Sequence, residues 1–132
     1  DYYPREAAEP GAIRLMVENL STSPSLSGVS LTARAGEVVG IMGLLGSGRS
    51  SLLSAIFGLK PATGTVSVDG QSLPLGRGPK IAIRRGVALV TEDRKRTGLA
   101  LNLPVRYNIT LAKLGKVTPG PWLSQGQDKT AA

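Results

Sequence analysis

The order of apolar and polar positions predicts several short strands separated by turns. β-branched and apolar residues at 13–17 predict a first strand, and residues 28–33 alternate apolar with small polar side chains, as a half-buried strand does. Residues 37–42 and 87–91 are nearly continuous apolar runs, typical of strands buried on both faces. Residues 65–70 predict another strand, which ends in an Asp-Gly turn. The pattern therefore predicts two kinds of strand, half-buried and fully buried.

Three segments predict helices: residues 50–59, 79–85 and 105–114. Pro104 suits the first turn of the third helix, where its missing N–H costs nothing. The first helix is expected to carry four large apolar side chains on one side: Leu52, Leu53, Ile56 and Phe57. Together with the strands, these helices indicate an α/β fold.

Composition narrows the chemistry that the chain can perform. It is 41% hydrophobic but only 4% aromatic, so the core must consist of Val, Ile, Leu and Ala. A net charge of +7 favours anionic partners, although the basic residues are scattered and Arg94–Arg96 is the densest run. The chain has no cysteine and no histidine, which excludes disulfides, thiolate chemistry and imidazole catalysis. No run of apolar residues is long enough to predict a membrane span, and no secretory signal is apparent at the N-terminus.

The stretch "GLLGSGRS", residues 43–50, has the spacing G-x-x-x-x-G-[K/R]-[S/T] of a loop that cradles phosphates. Such a loop needs glycines where the backbone turns sharply and bare N–H groups point at an anion. It also needs a strand before it and a helix after it, and residues 37–42 and 50–59 supply both. The alternative is a glycine-rich turn that binds no ligand. The predicted contact residues are Gly43, Leu44, Leu45, Gly46, Ser47, Gly48, Arg49, Ser50 and Ser51.

Arg49 stands where such loops normally carry lysine, and the exchange is not neutral. Lysine is a compact point charge, whereas arginine is a wide planar fork that binds oxygens in pairs. The backbone amides and the Ser50 hydroxyl can still hold a nucleotide, with that hydroxyl as a predicted Mg²⁺ ligand. Placement of charge on a transferring γ-phosphate should suffer. The loop thus predicts nucleotide binding with poor hydrolysis.

Three segments together carry a family resemblance: "LSGVSLTARAGEVVGIMGLLGSGRSSLLSAIFGLKPATGTVSVDG", "GVALVTEDRKRTGL" and "NITLAKL". Over about residues 13–112 they resemble the second nucleotide-binding domain of bacterial sugar-importer ABC ATPases of the ribose, galactose and xylose type. The resemblance implies a P-loop NTPase of α/β class: a partial ABC-type ATP-binding core with an antiparallel β layer and a truncated, mostly parallel sheet. Residues 1–12 would be an interdomain linker, and residues 113–132 the start of a truncated helical subdomain.

The resemblance also assigns roles within the site. Residues 43–50 would be the Walker A loop, and ATP with Mg²⁺ would be the ligand. Glu92, in "TEDRK", occupies the place of the family's Q-loop glutamine and would be a nucleotide contact and a second Mg²⁺ ligand. The alternative for Glu92 is a solvated loop of charges. The family usually stacks an aromatic residue on adenine, and "NLSTSPSLSG" offers none.

The stretch "LSQGQ", residues 123–127, is similar to the ABC signature LSGGQ but departs from it at Gln125, where the signature has glycine. An ordinary helix start with Ser124 as N-cap is the preferred interpretation. The resemblance then implies that the signature, the Walker B aspartate, the catalytic glutamate and the switch histidine lie beyond residue 132. No catalytic residue is assigned in this chain, and the chain alone is not expected to hydrolyse ATP. Apolar surface is expected to be exposed and to favour self-association.

The implied partners are a first nucleotide-binding domain of the same parent chain, an inner-membrane sugar permease and, indirectly, a periplasmic sugar-binding protein. The implied location is peripheral, on the cytoplasmic face of the bacterial inner membrane. Two alternatives belong to other classes: a stand-alone P-loop kinase or GTPase, and a basic nucleic-acid-binding module. The first would need a strand-borne aspartate and a base-recognition motif, and the second would need aromatic residues interleaved with the basic ones. Neither pattern is found, so no nucleic-acid partner is expected.

Overall fold

The computed structural model describes residues 9–111. The chain divides into two compact units, residues 1–89 and residues 90–132. The first unit contains four strands, β1 (Ile13–Thr22), β2 (Leu26–Arg34), β3 (Thr63–Val68) and β4 (Gln71–Ser72). They form one antiparallel sheet in the order β2-β1-β3-β4, so β1 and β3 are its central strands.

β1 runs on to Thr22, past the predicted end at Val17. Its polar second half stays extended because β1 is hydrogen-bonded on both edges, to β2 and to β3. Thr65 on β3 also donates a side-chain hydrogen bond to the Glu18 carboxylate at 3.0 Å. Register shifts beyond Val17 bend the strand without ending it. Pairing on both sides therefore outweighs the weak strand preference of the serines and threonines.

Two helices belong to the first unit: α1 (Arg49–Ile56) and α2 (Pro79–Arg84). The buried face of α1 carries Leu52, Ala55 and Ile56, which follow the i, i+3, i+4 spacing of one helix side. Leu53 was predicted on that face and is 44% exposed instead, because each residue turns the helix by about 100°. Phe57 follows the helix and is half-buried against the core.

The core between the sheet and the helices is small and entirely aliphatic, as the composition predicts. Leu20 and Val17 on β1 have the largest fully buried side chains. They are joined by side chains from α1, β3, α2 and the segment after β4: Leu52, Ala55, Ile56, Val66, Ala82 and Leu73. This core fixes α1 against the centre of the sheet, and the glycine loop directly precedes that helix.

The two predicted buried strands are not formed. Residues 37–42 and 87–91 make no sheet pairing, and Val38, Met42 and Val90 are at least 90% exposed. A strand buried on both faces needs paired neighbours and covering helices. The sheet that residues 9–111 form is antiparallel and does not include these runs. The antiparallel layer and the helices of the predicted α/β core are thus present. The predicted parallel sheet is not formed among the described residues. The expected exposure of apolar surface is confirmed.

The described part of the second unit contains a short π-helix, Arg94–Gly98, and α3, Val105–Leu111. Pro104 directly precedes α3, as predicted. No helix within residues 9–111 combines the length and apolarity that a membrane crossing requires. The predicted continuation of α3 to residue 114 and the "LSQGQ" stretch at 123–127 lie outside the described residues.

Candidate nucleotide-binding site

The backbone of the glycine loop turns into α1 through two left-handed glycines. Gly46 has φ +82° and Gly48 has φ +90°, a region that side-chain-bearing residues rarely occupy. A turn closes within the loop, because Ser47 N–H donates to the Leu44 carbonyl at 3.0 Å. Gly48 is the N-cap of α1, and its carbonyl accepts from Leu52 N–H at 2.8 Å. The loop therefore delivers the chain directly into the helix.

The start of α1 presents its backbone N–H groups without a capping side chain from the described residues. The first N–H groups of a helix have no intrahelical partner, and the helix dipole makes this end electropositive. The first turn also contains no acidic side chain that would repel an anion. These are the physical requirements of an anion site at a helix N-terminus.

Gly48 is held tightly against the sheet. A Cβ at this position would lie 2.5 Å from the Ser25 carbonyl oxygen and 3.2 Å from Leu26 Cδ1. The loop thus packs against the turn between β1 and β2. Any side chain at residue 48 would prevent this close contact. Gly43 is close-packed as well, since a Cβ there would lie 2.5 Å from Ser47 Oγ and 3.8 Å from Arg49 Cδ.

The two polar residues that begin α1 are exposed. Arg49 keeps part of its aliphatic stem near Gly43, at the first glycine of the loop. Ser50 follows it and is also exposed. The structure therefore places both side chains on the surface of the loop, where an approaching phosphate can reach them.

Ser51 differs from these two because it is buried and its hydroxyl is engaged. It accepts a hydrogen bond from Ser25 Oγ at 3.0 Å and another from Lys60 Nζ, also at 3.0 Å. Ser25 Oγ lies 3.4 Å from Thr22 Oγ1 as well. This polar chain ties the first turn of α1 to the end of β1 and to the segment after α1.

A pocket of about 720 Å³ opens beside this polar chain. One wall comes from the end of β1 and the turn into β2, and the other from the segment that joins α1 to β3. Its lining residues are Ser21, Thr22, Ser23, Pro24, Leu26, Lys60, Pro61, Ala62 and Thr63. The lining contains no aromatic side chain, in agreement with the sequence, and the pocket is of the size that small-molecule sites usually have.

Sequence reasoning missed Ser25 and Lys60. Ser25 lies 26 residues before Ser51, and Lys60 lies nine residues after it, so neither belongs to a local motif. Both contacts arise from the packing of α1 on the sheet. No signal in the sequence alone could have joined them to the loop.

Glu92 belongs to the second unit, so its place in the site stays a prediction. It is exposed and lines a cleft of about 630 Å³ with its neighbours Asp93, Arg94, Lys95, Leu99 and Leu101. The adjacent Asp93 carboxylate accepts from Arg96 N–H at 3.0 Å and caps the π-helix. Residues 9–111 contain no group of three acidic residues that could hold a metal by themselves.

The comparison with known families decides what kind of domain carries this loop. The sequence pattern of the ABC transporter family matches residues 26–130. This range includes the glycine loop, Glu92, and the pocket-lining residues Leu26 and 60–63. The chain belongs to the ABC transporter family. This match favours an ABC-type domain over the alternative interpretations, which were a stand-alone kinase or GTPase and a nucleic-acid-binding module.

Several curated ABC proteins are similar to this domain over nearly all of its length. The ribose import ATP-binding protein RbsA of Chromobacterium violaceum is 43% identical over 99% of the chain, and that of Halalkalibacterium halodurans is 37% identical over 97%. A putative ribose/galactose/methyl galactoside import ATP-binding protein of Rhizobium etli is 44% identical over 98%. The chain spans about a quarter of the length of these relatives, 25–26% in each case.

Proposed function

We propose that this chain supplies an ATP-binding core to the ATPase subunit of a bacterial sugar importer. The observation that carries the proposal is the glycine loop at the uncapped start of α1, next to an open pocket, in a domain of the ABC transporter family. The substrate class comes from its relatives, whose names specify ribose or galactose import.

In the proposed complex, the phosphates lie over Gly46, Gly48 and the first N–H groups of α1. The adenine base enters the adjacent pocket, whose lining includes Pro24, Leu26, Pro61 and Ala62. These apolar walls contact the faces of the base in place of the aromatic residue that the family usually provides. Hydroxyl groups on the same walls can bond the edge of the base or the ribose.

Ser50 is proposed to bind Mg²⁺ together with the phosphates. The Ser50 hydroxyl is exposed at the start of α1, and oxygen donors of this kind suit Mg²⁺, which retains several waters and substrate oxygens. The ion would neutralise phosphate charge, while the loop amides and α1 orient the nucleotide.

The proposed site holds ATP but hydrolyses it poorly. Arg49 begins α1 with its stem beside Gly43, and its planar fork cannot reproduce the point charge of a lysine on a transferring phosphoryl group. In the parent protein, this domain would act as the degenerate second site. It would pair with a first nucleotide-binding domain, on the cytoplasmic face of the inner membrane, beneath a sugar permease fed by a periplasmic binding protein.

Calorimetry of ATP binding to the 132-residue chain tests the proposal. ATP should bind in the presence of Mg²⁺, and Ser50→Ala should weaken that binding by about tenfold, because it removes a metal ligand. In EDTA, Ser50→Ala should bind ATP as the parent chain does, since the loop amides then carry the interaction. Ser54→Ala, one turn further along α1, is the matched control and should change neither measurement.

Three results would contradict the proposal. The first is an absence of ATP binding by the parent chain at millimolar concentration. The second is an equal loss for Ser50→Ala with and without Mg²⁺, which would indicate general damage to α1. The third is rapid multiple-turnover hydrolysis that depends on this site in a protein containing the whole ATPase subunit.

A further inference from the structure

Lys60 follows α1 in the sequence, yet its ammonium lies at the first turn of that helix. Gly58, with φ +83°, reverses the chain after α1, and Leu59 N–H donates to the Ser54 carbonyl at 2.8 Å. This reversal directs the Lys60 side chain back along the helix. Its Nζ atom lies 3.0 Å from Ser51 Oγ, at the point where the glycine loop has just become helix.

The contact with Ser51 occupies only part of the bonding capacity of Lys60. An ammonium group has three N–H donors, and the described residues take one of them, through Ser51. The Ser51 hydroxyl accepts from both Ser25 and Lys60, so both of its lone pairs are used and it can offer an anion only its own hydrogen. Lys60 is exposed and lines the pocket, so a ligand in the pocket has access to its ammonium group.

The position of Ser51 specifies which part of a nucleotide Lys60 would meet. Ser51 directly follows the loop residues 43–50, which are proposed to hold the outer phosphates. It also bonds to Ser25, which lies between two pocket-lining residues, Pro24 and Leu26. If the nucleoside occupies the pocket and the β- and γ-phosphates occupy the loop, the α-phosphate lies at the junction of the two, because it joins the nucleoside to the outer phosphates.

We propose that Lys60 is a second nucleotide-binding cation of this site, and that it contacts the α-phosphate while Arg49 faces the outer phosphates. This inference rests on the proposed function, because it requires a nucleotide in the loop and pocket. It adds a specificity: the site should discriminate strongly between nucleotides and nucleosides even when only one phosphate is present. A charge-assisted hydrogen bond of an exposed ammonium gives an affinity gain of about tenfold.

The test is a series of ligands that differ only in phosphate number: adenosine, AMP, ADP and ATP. Each is titrated without Mg²⁺ into the parent chain and into Lys60→Met, by NMR chemical shifts for the weak ligands and calorimetry for ATP. Lys60→Met should weaken AMP, ADP and ATP binding by about the same tenfold factor and leave adenosine unchanged. Lys60→Arg should restore most of the affinity for AMP. Lys80→Met, which removes an exposed lysine from α2, is the control and should bind all four ligands like the parent chain.

The outcomes separate the inference from the proposed function. A parent chain that binds none of the four ligands would overturn both. ATP binding by the parent chain with no difference between Lys60→Met and Lys80→Met would overturn the inference alone. An equal loss for adenosine and AMP would show that Lys60 shapes the pocket and does not contact phosphate. A loss that grows from AMP to ATP would move the contact to the outer phosphates and contradict the α-phosphate assignment.

Discussion

Gly48→Ala is the substitution whose effect the structure defines most sharply. Alanine at φ +90° pays about 1–2 kcal/mol for left-handed backbone. Its Cβ would also lie 2.5 Å from the Ser25 carbonyl oxygen, so that oxygen must retreat by about 1 Å to reach an ordinary contact distance. Forcing backbone apart in a packed region costs about 1–3 kcal/mol more. The free energy of unfolding should therefore fall by about 2–5 kcal/mol.

Gly46→Ala separates the cost of the left-handed backbone from the cost of the steric clash. Gly46 has nearly the same φ, +82°, but a Cβ there would meet no atom within 4 Å. Its cost should be limited to the backbone term of about 1–2 kcal/mol. Urea unfolding of both variants, followed by circular dichroism, measures the difference, and ATP binding is measured beside it. Because Ser25 also bonds to Ser51, Gly48→Ala should lose more ATP affinity than Gly46→Ala.

Equal losses of stability in the two variants would refute this reasoning. They would mean that the glycine loop is not held against the chain between β1 and β2. A Gly48→Ala variant as stable as the parent chain would further contradict the left-handed conformation of residue 48.

Three further predictions concern other parts of the molecule. Asn108→Ala should lower local stability by about 1–3 kcal/mol, because the Asn108 amide bonds both backbone groups of Ala100 and two carbonyls beyond it; faster hydrogen exchange at the Ala100 amide would show this, and unchanged exchange would contradict it. Arg49→Lys should tighten ATP binding by about three- to tenfold and leave AMP binding unchanged, because the compact charge acts on the outer phosphates; calorimetry with both nucleotides compares them. The pair Val38→Ser and Met42→Ser should reduce self-association, since both side chains are more than 90% exposed; light scattering over a dilution series measures it, and identical masses before and after substitution would count against it.

Local sequence patterns predicted the elements whose stabilising contacts are near in sequence. α1 begins at Arg49, one residue before the predicted start, and the predicted Asp-Gly turn at Asp69 and Gly70 follows β3. The short strand β4 after this turn was not predicted. α2 and the start of α3 were also found where proline and the apolar spacing placed them. In each case, the residues that form the element also determine it.

The errors fall where the outcome depends on distant partners. β1 continues to Thr22 because two neighbouring strands pair with it, and the local serines and threonines gave no sign of this. Residues 37–42 were predicted as a buried strand from their apolar character alone, but a parallel strand needs partners, and none of the described residues pairs with them. Lys60 and Ser25 joined the candidate site for the same reason: only the packing of α1 brings them to Ser51.

The central claim is that the loop and the start of α1 bind the phosphates of ATP. The most direct measurement is a two-dimensional NMR titration of the isotope-labelled chain with Mg·ATP, which reports each backbone amide separately. The largest shifts should occur at Gly46, Gly48 and the first amides of α1, with smaller ones along the walls of the pocket. A titration that leaves these amides unchanged, or that shifts mainly Arg94–Arg96, would contradict it.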